Sequence, residues 1–285
     1  MHPAAPEDLH GLVDAYAGTA QAVVDLTFSL SEADFDRPTP CPGWTVKDQV
    51  SHVVSLEAAM LGRPDPHVEV PDYPHIRNDM GRQFEQGVEL RRPRPGAEVV
   101  AEWQKVLAGR LGRLRDPSLT EETLVDTPRG PRTLRKALEL RISDIWCHEQ
   151  DIREALGRPG NLDSRAAAVF VQGVMNRLPQ IVVERVGLEP GKVLMIELTG
   201  PVIARSGVRV EVDDDGKPVG RLMFAGASDE TGPIPVIGKT TSLQMSTEVF
   251  TRRAAGRRAT EGCAYSVHGD PEIARSFMDH LAVTP

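Results

Sequence analysis

The run TLRKALELRISDIWCHEQDIREALGRPG, residues 133–160, decides the fold. Leu134, Ala137, Leu138, Ile142, Ile145, Ile152 and Leu156 recur at helical spacing, so the run predicts one long amphipathic helix from about Thr133 to Leu156. Gly157-Arg158-Pro159-Gly160 cannot continue it and marks the best boundary in the chain. Within the helix, Asp144 precedes His148 by four residues, so both lie on one face. Asp144 stands among Ile142, Ile145 and Trp146, where an aspartate is disfavoured without a partner. That partner is either an arginine such as Arg141 or a metal ion shared with His148. Asp151, three residues past His148, is either an acceptor for that imidazole or a solvated charge.

Upstream of this run the chain reads as helical. Leu9–Leu30 carries a helical stripe (Leu12, Val13, Tyr16, Ala20, Val23, Val24, Phe28). Pro38, Pro40 and Pro42 form a rigid connector, and a second helix is expected from Thr45 to Gly62. Residues 62–75 form a long loop of the kind that often rims a functional site. A third helical region, Ile76–Leu114, breaks at Pro93-Arg94-Pro95-Gly96. Four helical segments with short and medium links point to an antiparallel bundle. Downstream the pattern becomes α+β. We expect a helix over Ser164–Arg185, strands over Val193–Thr199, Val208–Val212 and Val219–Phe224, and a hairpin turn at Asp213-Asp214-Asp215-Gly216. A helix over Thr240–Ala255, a short strand over Ala264–His268 and a helix over Pro271–Leu281 complete the chain. The overall expectation is an α plus α+β protein with domains at 1–158 and 159–285.

The second helix holds a second Asp–His pair, Asp48 and His52, again at i,i+4. A carboxylate and an imidazole at this spacing can share one divalent metal ion. Asp48 also sits three residues after Thr45, which reads as a capping box.

The chain has 285 residues and a net charge of −8, which argues against nucleic acid and anionic membrane as partners. No uninterrupted apolar run of about 18 residues occurs, so no membrane span is expected. Met1–Asp8 lacks the basic and apolar regions of a signal peptide. Cys41, Cys147 and Cys263 are odd in number and far apart, which fits reduced thiols in the cytoplasm. Cys147 adjoins His148 but points to another side of the helix. No glycine-rich phosphate loop follows a strand, which disfavours nucleotide binding.

The segment Cys41-Pro42-Gly43-Trp44-Thr45-Val46-Lys47-Asp48-Gln49-Val50-Ser51-His52 resembles the first signature of the mycothiol-dependent maleylpyruvate isomerase family, within the DinB-like superfamily. Asp144-Ile145-Trp146-Cys147-His148-Glu149-Gln150-Asp151 is similar to its second signature. Gly256-Arg257 and Val267-His268-Gly269-Asp270-Pro271-Glu272-Ile273-Ala274 resemble its sterol-carrier-like C-terminal domain. The resemblance implies a DinB-like four-helix bundle followed by a sterol-carrier-like α+β domain. It implies a divalent metal, zinc in type, held by His52, Asp144 and His148, with Asp48 and Asp151 behind them. The family's acid is often Glu, so Asp144 is a shorter ligand. A catalytic arginine is expected from the C-terminal domain, where Arg257 matches best, crowded by Arg252, Arg253 and Arg258. The implied cosubstrate is mycothiol, which would attack a small electrophile and yield either cis–trans isomerisation or S-transfer. Two other functions stay open: a zinc hydrolase using metal-bound water, and a non-enzymatic carrier of an apolar ligand. The oligomer is expected to be a monomer or homodimer.

Overall fold

The computed structural model describes residues 2–128, 130–223 and 239–284. They form two compact units, Pro6–Asn161 and Leu162–Pro285, the second including Met1–Ala5.

The first unit contains helices α1 (Leu9–Thr27), α2 (Glu32–Phe35), α3 (Val46–Met60), α4 (Asp79–Glu89), α5 (Gly96–Leu114) and α6 (Leu134–Leu156). A two-stranded ribbon, β1 (Leu124–Val125) and β2 (Arg132–Thr133), precedes α6. Of the long helices, α1 packs on α5 and α6, and α3 packs on α5, α6 and α4. Their apolar faces meet in a core that holds Tyr16, Val50, Val53, Trp103, Leu138, Ile142, Ile145 and Trp146.

The ends of the helices follow local chemistry. Thr45 and Asp48 form a reciprocal capping box: Asp48 N donates to Thr45 Oγ1 at 3.3 Å, and Thr45 N donates to Asp48 Oδ2 at 3.0 Å. Gly157 ends α6 in the left-handed region, φ 64°, which glycine adopts without the steric cost of a Cβ. Two short elements, α2 and the β1–β2 ribbon, had no counterpart in the sequence expectation. The 62–75 loop is tied down by charge. Arg91 grips Asp65 with two nitrogens at 2.6 and 2.8 Å, and Arg82 donates to Val70 O and Asp72.

The second unit is built on a five-stranded sheet of order β5-β4-β3-β6-β7. Its strands are β3 (Val193–Thr199), β4 (Ile203–Val212), β5 (Pro218–Leu222), β6 (Thr240–Met245) and β7 (Tyr265–His268). Its helices are α7 (Arg165–Met175), α8 (Leu178–Gln180), α9 (Thr247–Ala254) and α10 (Pro271–His280). The β4–β5 hairpin turns at Asp213, whose Oδ1 accepts from the backbone of Asp215 and Lys217. The last residue expected for its second strand, Phe224, lies outside the described residues.

Two expectations are corrected here. The helix expected over Thr240–Ala255 is a strand followed by a helix. Thr241, Leu243 and Met245 alternate inward with period two, and β6 pairs parallel to β3. The helix starts only after Ser246, whose side chain caps α9. The helix expected over Ser164–Arg185 stops at Met175 and resumes as α8 and a π-helical turn, Ile181–Arg185. Pro179 is in the first turn of α8, where its missing N–H costs least. By length and composition alone, Arg165–Arg185 could cross a membrane, but most of it is buried inside the protein.

Candidate metal centre

Helices α3 and α6 pack against each other and bring the two Asp–His segments together. His52, Asp144 and His148 each present one ligand atom, all within 4.8 Å of one another. His52 Nε2 lies 3.5 Å from Asp144 Oδ2, and His148 Nε2 lies 3.6 Å from Asp144 Oδ1. These gaps are too wide for good hydrogen bonds. One imidazole faces each oxygen of the carboxylate, and the donor set, two nitrogens and a carboxylate, is of a kind that could hold a divalent ion. Both histidines are buried, whereas the Asp144 side chain is 32% exposed, so the group opens outward on the aspartate side.

Trp44 and Phe84 wall the imidazoles. The Trp44 ring lies 4.9 Å from the ring of His52 and 5.8 Å from that of His148, and Phe84 meets His52 edge-on at 5.2 Å. Phe84 also lines a recess of about 330 Å³ with Asp79, Met80, Gln83 and Pro128. Trp44 stands just before α3, in the Cys41–His52 segment. Its indole Nε1 donates to buried Glu85 at 2.8 Å, and Glu85 also takes Arg92 at 2.6 Å and His75 at 3.0 Å. A Cβ on Gly43, φ 78°, would fall 2.1 Å from His75 Nδ1, so only glycine lets this turn lie against that ring.

Electrostatics set the charge states. Burial pushes His52 down to about 4, against the upward pull of Asp144, so this imidazole is neutral near pH 7. Burial alone would raise Asp144, but the Arg141 guanidinium and His148 outweigh it and hold the carboxyl well below its ordinary range. Arg141 donates to Asp144 Oδ2 at 2.9 Å, so the arginine partner and the histidine partners of Asp144 coexist. Arg141 in turn is held by Glu57 at 2.6 Å, and Glu57 also accepts from Arg110 and Tyr16, both at 2.7 Å. This buried chain escaped sequence reading. Its one signal was charge in apolar surroundings: Glu57 follows Val53, Val54 and Leu56.

The remaining expected site residues are placed as follows. Asp48 goes to the α3 cap and to Arg92, 3.4 Å away. Asp151 is fully buried, and its Oδ2 lies 3.8 Å from His148 Nδ1. The acceptor at that nitrogen is Gln49, at 2.5 Å, a residue the sequence reading did not single out. Cys147 is buried and outside the ligand group. Arg257 belongs to the second unit, where its guanidinium donates to Ala255 O. Of the neighbouring arginines, Arg253 is spent on the carbonyls of Met278 and Asp279, and Arg258 on Glu248.

Residues 16–153 match the model of the mycothiol maleylpyruvate isomerase N-terminal domain. An uncharacterised protein of Mycobacterium tuberculosis, present in strains CDC 1551 and H37Rv, is 25% identical over 190 residues, covering 62% of this chain and 69% of the relative. The crystal structure of the mycothiol-dependent maleylpyruvate isomerase superposes with a TM-score of 0.54 at 15% identity, over 90% of this chain and 92% of that one. A histidine-to-alanine mutant of that enzyme superposes equally well. At this identity the likeness speaks for the fold. Residues 16–153, which carry both halves of the His–Asp–His group, match the mycothiol maleylpyruvate isomerase N-terminal domain family.

Proposed function

We propose that this protein is a metal-dependent enzyme that uses mycothiol to act on a small electrophile, as a cis–trans isomerase or an S-transferase. The observation that carries the reading is the His52–Asp144–His148 group, with donor gaps of 3.5 and 3.6 Å, inside the residues that match this family. We read the first unit as a DinB-like four-helix bundle, with α1, α3, α5 and α6 as its helices. We read the second, from about residue 159, as a sterol-carrier-like α+β domain.

His52, Asp144 and His148 would hold the ion, and two nitrogens with one carboxylate oxygen suit zinc. When bound, the ion would favour the thiolate form of a thiol placed on it, and three protein ligands leave room for one. The chain's own residues prepare that state. Burial keeps His52 neutral, so its lone pair is available at neutral pH. Arg141 keeps Asp144 ionised. Trp44 and Phe84 limit water around the imidazoles. Mycothiol sulfur would add to an electrophilic carbon of the substrate. Rotation and loss of the thiol give the isomer, and retention gives the conjugate. Arg257 is proposed to hold a substrate carboxylate through paired N–H donors.

The test is metal analysis of the purified chain beside His52→Ala and His148→Ala, followed by turnover with and without mycothiol. About one equivalent of metal in wild type, lost in both variants, with thiol-dependent turnover, is expected. Wild type without stoichiometric metal, or turnover indifferent to thiol, overturns the reading.

A further inference from the structure

We propose that Gln49 is a positioning residue: it fixes the tautomer and ring orientation of His148, so that His148 presents Nε2 to the ion. The inference rests on the metal reading above.

A hydrogen-bond chain with only one permitted direction carries it. Thr39 Oγ1 donates its single proton to the backbone carbonyl of Trp44 at 2.8 Å, because a carbonyl can only accept. Thr39 Oγ1 can then only accept a second bond, and it takes one from Gln49 Nε2 at 2.6 Å. The amide is thereby fixed with its oxygen toward His148. A flipped amide would set its oxygen against a hydroxyl with no proton left and its NH₂ against the imidazole. Gln49 Oε1 carries no proton, so at 2.5 Å the proton belongs to His148 Nδ1. In neutral His148 the lone pair is then on Nε2, the nitrogen that faces Asp144 Oδ1 at 3.6 Å.

The environment makes this bond selective. Gln49 is fully buried, so no bulk water replaces it as acceptor. The anchor is rigid: Thr39 N also donates to Trp44 O at 2.9 Å, and Pro38 bridges to Thr45. Asp151 is 3.8 Å from the same nitrogen, beyond hydrogen-bond reach. His52 shows the contrast. Its Nδ1 is buried without a hydrogen-bond partner, so its ring has no such anchor. His148 is the ligand oriented in advance, and the turn that carries Trp44 is coupled to α6 through Gln49.

Two readouts on the full chain test this. The first is the His148 tautomer in metal-free protein, from long-range proton–nitrogen NMR, its signal assigned by loss in His148→Ala. The second is affinity for zinc and cobalt(II), by competition with a chromophoric chelator. Wild type should show the Nδ1–H form. Gln49→Leu should mix the tautomers and weaken metal binding about 10–100-fold, the usual cost of losing such a partner. Gln49→Glu keeps an acceptor for Nδ1–H but loses the donor to Thr39 Oγ1, so it should restore the tautomer and recover metal binding only in part. Thr39→Val removes the upstream anchor and should give an intermediate loss. An Nε2–H tautomer in wild type overturns the inference, whether or not metal binds. A Gln49→Leu variant that is folded and binds metal within about threefold of wild type, given that usual cost, also overturns it. A wild type that binds no metal yet has the Nδ1–H form, lost in Gln49→Leu, sinks the metal reading and leaves the positioning intact.

Discussion

Glu57→Gln is the most searching perturbation of the helical unit. Glu57 is completely buried and takes three donors: Tyr16 Oη at 2.7 Å, Arg110 Nε at 2.7 Å and Arg141 Nε at 2.6 Å. Neutralising it leaves two buried guanidinium groups sharing one fewer carboxylate. It also sets an amide N–H against an arginine N–H. Removing one partner of a buried ion pair costs about 3–5 kcal/mol, far more than the 0–1 kcal/mol of a surface pair. At roughly 2–4 °C per kcal/mol for a unit of this size, the Tm should fall by about 6–20 °C. The pH dependence follows from the same contacts. Burial alone would raise Glu57, but Arg141 and Arg110 outweigh it and hold its folded-state value below the ordinary 4.5. A carboxyl depressed in the folded state contributes stability that is full above its unfolded value and is lost as pH falls through the folded one. Wild type should therefore lead the variant by the whole margin at pH 7, and the gap should narrow as pH drops below about 4.5. Urea unfolding at a series of pH values measures this. A deficit under about 1 kcal/mol at pH 7 would refute the reasoning, since the cluster would then behave as a surface pair.

Three other perturbations probe separate parts of the argument. Trp44→Phe loses the bond to Glu85 and part of the wall against both histidines; urea unfolding should show a loss of about 2 kcal/mol, one hydrogen bond plus one ring contact. Gly157→Ala forces a Cβ into the left-handed end of α6 and should cost about 1–2 kcal/mol, read as a lower Tm with unchanged metal content. Asp144→Asn should weaken metal binding beyond the 10–100-fold of an outer partner, whereas Asp144→Glu should retain it; an asparagine variant that binds like wild type would remove Asp144 from the ligand set.

Features governed by neighbours in the chain were legible in the residues. The Thr45–Asp48 box, the stop at Gly157 and the Asp213 turn each depend on residues within four positions of the backbone they serve. Thr240–Met245 was not legible as a strand. Its neighbour β3 lies more than 40 residues upstream, and burial of alternate side chains against that partner overrode the helical reading.

The candidate site divides along the same line. The residues by themselves set which side chains share a helix face: Asp144 with His148, and His52 one turn after Asp48. They set the family resemblance, and with it the pairing of His52 with the later segment. Only tertiary packing decided the rest. The chain just past α4 set Arg92 beside Asp48, and the packing of α3 on α6 added His52 to the arginine and imidazole that Asp144 already has on its own helix. That helix packing set Gln49, rather than Asp151, within bonding reach of His148 across 99 positions of sequence. Helical periodicity is a property of one segment. A hydrogen bond between segments depends on the relative placement of two helices to a few tenths of an ångström, which the side chains of the whole core determine together.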